Sequence, residues 1–229
     1  MSAQHSKENG RALPRCRRPG HADADRGRSA WSAILLSLAL SLLAGCACGP
    51  PDRLLHLRAA PPVAAGAAAA AEIWLIQQPV RLPDYLDRDA LLLREGRAGL
   101  QRLPGYRWAE PLRDSVPRLL RADLARLLGE DRVWTLPLPA GVQPRLQLRV
   151  ELLAFEAEDA DTADTRQRQV VLQARWSLAR ADGSAPPQAQ AVSLQVPVSG
   201  PGADALAAAH RLAVWRLAER IALTRGNPQ

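Results

Sequence analysis

Asp84, Asp87 and Asp89 crowd around Tyr85, and neighbouring carboxylates are what general acid–base chemistry uses. Prolines and further charges surround them, so the spacing reads as solvated, turn-forming acids. His56 and His210 have no second histidine four residues away and no cysteine pair near them, which leaves a zinc site without ligands at the usual spacing. The serines lack an identifiable histidine and acid partner, and no Gly-x-Ser-x-Gly elbow is present. A phosphate-cradling Gly-x-x-x-x-Gly-Lys is also missing. These residues give no sign of an enzyme, a metal centre or a bound cofactor.

One cysteine sits in a different setting. From Ile34 to Gly45 the chain is uncharged, and the run ends in Leu43-Ala44-Gly45-Cys46. A bilayer core needs about 20 apolar residues, so this run is too short to span one. It has the length of a signal-peptide h-region, with Arg11, Arg15, Arg17, Arg18, Arg26 and Arg28 as the positive segment before it. Small residues directly before the cysteine resemble the lipobox of bacterial lipoproteins. That resemblance implies an S-diacylglycerol and an N-acyl group on Cys46 after cleavage, with no other cofactor. A plain secretory peptide with a chance Ala-Gly-Cys is the competing reading.

Cleavage before Cys46 leaves a chain the size of one domain with a tether. The full chain carries +7, much of it in the leader, and the remainder is only weakly basic. Its arginines are scattered singly without aromatic interleaving, so nucleic acid is a poor partner. Cys16 leaves with the leader and Cys46 is used by lipid, so Cys48 alone remains. The fold must rest on its core, not on disulfides.

The expected organisation is a lipoprotein signal peptide over 1–45, a lipidated tether over 46–71 with a first strand at 53–58, and a folded body over 72–225. Ile73-Trp74-Leu75-Ile76 reads as a short strand buried on both faces. Ala90–Glu95 and Leu100–Leu103 flank a glycine-bounded turn and read as a hairpin. Leu112, Val116, Leu119, Leu120, Leu124, Leu127 and Leu128 form one helical stripe. Arg113, Arg118, Arg121, Asp123 and Arg126 fall on the other side. Pro117 places the regular start near Asp114 or Ser115.

Three alternating strands follow, over 145–152, 170–178 and 192–198, each with one apolar face. Pro197 puts the third at a sheet edge or ends it there. The acidic run Glu156 to Asp164 reads as a solvated hairpin loop, since it lacks the spaced ligands of a calcium loop. A second helix over 203–223 carries Leu206, Ala209, Ala213, Val214, Leu217 and Ile221 as its stripe. The result is an α+β single domain: a mainly antiparallel sheet with two helices packed on one face.

Two loops hold residue types that serve as interface anchors, Val80–Arg88 and Tyr106–Leu112. Tyr85, Arg88 and Trp108 are the candidate docking residues. The structural alternative is that Trp108 plugs the core, Glu110 pairs with an arginine and Pro111 breaks the strand.

The same loops carry a family resemblance. Val80-x-Leu82-Pro83-x-Tyr85-Leu86-Asp87-Arg88 and Arg107-Trp108-Ala109-Glu110-Pro111-Leu112, in that order between Cys46 and the helix ending at Leu128, resemble the ABC-type transport auxiliary lipoproteins. Ala174-Arg175-Trp176 and the alanine-rich C-terminal helix fit as well. The resemblance implies a lipoprotein in the outer membrane's inner leaflet, facing the periplasm. It would work with a periplasm-spanning MCE-domain protein and an inner-membrane transporter component to move phospholipid or another hydrophobic molecule between membranes, by docking and tethering, with a ring of copies as one arrangement. The other reading is a tethered periplasmic regulator of cell-wall synthases or envelope sensors.

Overall fold

A computed structural model describes residues 52–58, 60, 71–162 and 165–224. The leader, Cys46 and Cys48 lie outside them. The element order is β1 (Arg53–Leu55), β2 (Trp74–Ile76), β3 (Ala90–Glu95), β4 (Gly99–Trp108), α1 (Leu112–Leu128), β5 (Val133–Trp134), β6 (Leu146–Thr162), β7 (Thr165–Arg180), β8 (Gln188–Pro197) and α2 (Ala203–Leu223).

Eight strands make one mixed sheet in the order β1-β4-β3-β6-β2-β5, with β7 on β6 and β8 on β7. The long ladders, β6–β7 and β7–β8, are antiparallel, as is the β3–β4 hairpin. The short pairings, β1–β4, β2–β5, β2–β6 and β3–β6, are parallel. All three residues of β2 are buried, as its uninterrupted apolar run requires. The first strand is observed at Arg53–Leu55, within the expected 53–58. β8 pairs with β7 alone, so Pro197 lies on an edge strand.

β6 runs ten residues beyond the expected end at Leu152. A bulge between Leu152 and Ala154 is the reason. Leu146, Leu148, Val150 and Leu152 face the core, the bulge consumes one residue, and Phe155 and Ala157 then continue the same face opposite Leu172 and Val170. Alternation breaks at the bulge while the strand does not. The acidic run is therefore strand from Glu156 to Thr162 and not a loop, and Glu156 is buried.

α1 covers the whole expected stripe from Leu112 to Leu128, but its regular part starts earlier than Pro117 suggests. It begins at Leu112, where the amides of Asp114 and Ser115 bond to the Pro111 carbonyl. Pro117 is thus the sixth helical residue, and the Arg113 carbonyl loses its i+4 amide donor. That carbonyl belongs to an exposed stretch, where water can replace the donor. Gly129 ends the helix at φ +112°, backbone that glycine adopts without strain. α2 matches its expected span, and every residue of its stripe is buried. The helices pack on each other, and α2 also packs on β7 and β8. The common core joins Trp108, Leu120, Leu124, Leu148, Phe155, Leu172, Val214 and Leu217.

Candidate docking surface

The loop between β2 and β3 is pinned at both ends by apolar side chains, Val80 and Leu86, each nearly inaccessible. Pro83 starts a single 3-10 turn, Asp84–Leu86, closed by the Leu86 amide on the Pro83 carbonyl at 2.9 Å. The turn brings the half-buried Tyr85 to β6, where its hydroxyl donates to Glu156 Oε2 at 2.9 Å. The same carboxylate accepts from Arg94 Nη2 and from the Phe155 amide at 2.7 Å. A buried carboxylate is tolerable only with such partners. Burial, then the charge of Glu156, pushes the Tyr85 hydroxyl above the ordinary tyrosine range.

The second loop, from the end of β4 into α1, is tied to the first. Arg107 bridges Asp52 and Asp89, the latter at 2.9 Å. These bonds raise the pKa of its guanidinium, Asp52 contributing most. The Trp108 amide donates to the Asp89 carbonyl at 2.6 Å and the Ala109 amide to the Leu55 carbonyl at 2.8 Å. Arg113 holds Asp87 at 2.5 Å, and Arg118 holds Glu110. Asp87 and Asp89 are therefore spent on separate arginines, and the acid cluster is a set of loop clamps. Beside it lies a groove of about 540 Å³ whose walls include Pro79, Leu82, Pro83, Arg113, Glu151 and Leu153.

The three candidate docking residues land in different environments. Arg88 is exposed and Tyr85 half-exposed. Trp108, at 5 % exposure, takes the structural one of its two readings. Its ring meets the edge of His210 at 5.1 Å, and Phe155 meets the same imidazole at 5.0 Å. His210 Nδ1 pairs with the Leu206 carbonyl at 2.8 Å, and burial lowers the pKa of the ring to about 4. His210 is a neutral core residue.

Sequence reasoning missed one polar centre. Asp123, which falls among the polar residues of α1, is wholly buried and takes a bidentate pair from Arg211 of α2 at 2.7 and 2.6 Å. Arg211 Nε also donates to the Arg58 carbonyl at 2.7 Å, so one guanidinium joins α1, α2 and the segment after β1. Burial raises the Asp123 pKa, and the Arg211 bonds oppose that rise. The only sequence signal was an arginine inside an alanine-rich apolar helix. Among the described residues no group of three histidines, cysteines or acids is placed to hold a metal ion. No described helix is long and apolar enough to cross a membrane.

Solved structures share the architecture. An uncharacterized protein whose crystal structure is known is similar over 77% of this chain and 99% of its own, at 18% identity and TM-score 0.59. A protein from Xanthomonas campestris, assigned to the DUF330 family, is similar over 75% of this chain and 93% of its own, at 17% identity and TM-score 0.57. At these identities the likeness is one of fold. No curated protein matches the sequence. The family model for the ABC-type transport auxiliary lipoprotein component matches residues 55–222, which includes the last residue of β1, the rest of the sheet and nearly all of α2. That family is defined by association with transport, not by catalysis, and this chain belongs to it.

Proposed function

We propose that the protein is the outer-membrane lipoprotein subunit of an MCE-type intermembrane phospholipid transport system, acting by anchoring and docking. Residues 1–45 are its signal peptide, and Cys46 carries the S-diacylglycerol and N-acyl groups. The observation that carries the reading is the transport-lipoprotein match over the whole folded body, 55–222. Clamped loops support it, because a docking surface held by Arg107, Arg113 and Glu156 meets its partner already ordered, at a smaller entropic cost. Tyr85 and Arg88 are the residues offered to the partner.

Affinity capture of the membrane-extracted protein tests this directly. Recovery of an MCE-domain protein is the expected result, and recovery of peptidoglycan synthases with no transporter component would replace the reading with the regulator. Arg88→Glu should weaken that capture while leaving the unfolding midpoint in place, since exposed substitutions usually shift stability by no more than about 0.5 kcal/mol. Cys46→Ala should leave the domain folded and abolish envelope function. A fully active, unlipidated protein would refute the anchoring role.

A further inference from the structure

β1 lies seven residues beyond Cys46. A fully extended chain covers at most about 3.6 Å per residue, so Arg53 stays within about 25 Å of the acylated cysteine. The strand is not free to swing away from the body. Leu55 and Leu57 are buried, β1 pairs with β4 from Arg53 to Leu55, and Arg211 grips the Arg58 carbonyl at 2.7 Å. An anchor at Cys46 therefore holds this edge of the sheet near the bilayer.

The outward side of the same segment has the composition that such a position favours. Leu54 is 68 % exposed, and Arg53, His56 and Arg58 beside it are exposed as well. An exposed leucine flanked by arginines suits an anionic phospholipid surface, with the apolar side chain at the acyl boundary and the guanidiniums at phosphate level. We propose that Arg53, Leu54, His56 and Arg58 form a membrane-contact face that rests on the leaflet holding the anchor. This proposal depends on lipidation of Cys46, as in the functional reading above. A cleft of about 600 Å³ opens beside it, between Leu54 and Ala208. A protein segment seated there is the competing occupant.

The test uses the lipidated protein in a Cys48→Ser background, with Leu54→Cys carrying a polarity-sensitive dye. It is reconstituted in vesicles of phosphatidylethanolamine and phosphatidylglycerol that contain spin-labelled lipid. A second labelled protein carries Leu136→Cys, a position 66 % exposed just beyond β5, the opposite end of the strand order. The dye at 54 should be quenched several-fold more than the dye at 136, and Arg53→Glu with Arg58→Glu should remove most of that difference. Equal quenching at the two positions would overturn the proposal. So would a dye at 54 that is shielded from aqueous iodide only when the captured partner is added. Mass spectrometry of the same samples separates the two ideas. An unmodified Cys46 sinks the anchoring reading, whereas an acylated Cys46 with an unquenched dye at 54 sinks the contact face alone.

Discussion

His210 carries no partner chemistry, yet it makes the protein sensitive to acid. Its ring is enclosed by Trp108 and Phe155, and its pKa is about 4 in the folded chain against 6.5 for the free side chain. The unfolded state therefore binds the proton more tightly. Stability is complete above pH 6.5 and falls as pH drops toward 4, by about 3 kcal/mol in total at roughly 1.4 kcal/mol per pH unit. Urea titrations across that range should show the loss, and His210→Gln should flatten the pH dependence. An unchanged slope would mean that the imidazole stays wet. Tyr85 acts differently at the same scale. Tyr85→Phe removes one of three donors from the buried Glu156 carboxylate and should cost about 1–3 kcal/mol, read as a shift in the urea midpoint.

At the scale of elements, Arg211 and Asp123 join pieces that a sheet alone would leave independent. Arg211→Ala leaves the buried Asp123 carboxylate with only Arg126 at 3.6 Å and should destabilise by about 3 kcal/mol, whereas Arg211→Met combined with Asp123→Leu should cost clearly less. Equilibrium unfolding of the single and double variants separates a buried-charge penalty from simple loss of packing. The elements themselves were legible wherever a periodicity persisted: α2 over its whole length, the central part of β7, and the stripe of α1. Legibility stopped where a local irregularity reset the phase. The bulge at Leu152 broke the alternation of β6, so Glu156 looked like part of a solvated loop. Pro117 argued for a later helix start than Leu112, because the Pro111 carbonyl that closes the first turn leaves no mark in a residue pattern. Asp123 was placed with the polar residues of α1 because a helical wheel cannot show that Arg211 reaches it from another element. Of the candidate site, loop positions and residue types could be read, while the arginine clamps between Asp52, Asp87 and Asp89 required the fold.

Across the whole molecule, the pairing of β1 with β4 changes what the N-terminal segment is. A tether over 46–71 would reach about 90 Å when extended. With β1 inside the sheet, the free length ends near Asp52. Deleting residues 47–51 should therefore shift stability by no more than about 0.5 kcal/mol. Deleting 47–58 takes away Leu55, Leu57 and the Arg58 carbonyl and should cost at least about 3 kcal/mol. Thermal melts of the two deletions make the comparison, and equal midpoints would show that β1 is dispensable. With Cys46 as the proposed anchor, such a short lead suits a subunit that works at the membrane surface and gives little reach to a regulator that must cross the periplasm.

The grip of Arg211 on the Arg58 carbonyl spans 153 residues of sequence, and this sets an order in which the contacts of the first strand can be completed. The amino-terminal end emerges first, but the side chain that fastens it belongs to the last helix to arrive. Until α2 has packed, the Arg58 carbonyl lacks its Arg211 donor, and only the β1–β4 pairing and the buried Leu55 and Leu57 hold the segment. Packing of the carboxyl-terminal helix adds the bond that ties the end of the first strand to the last element of the chain.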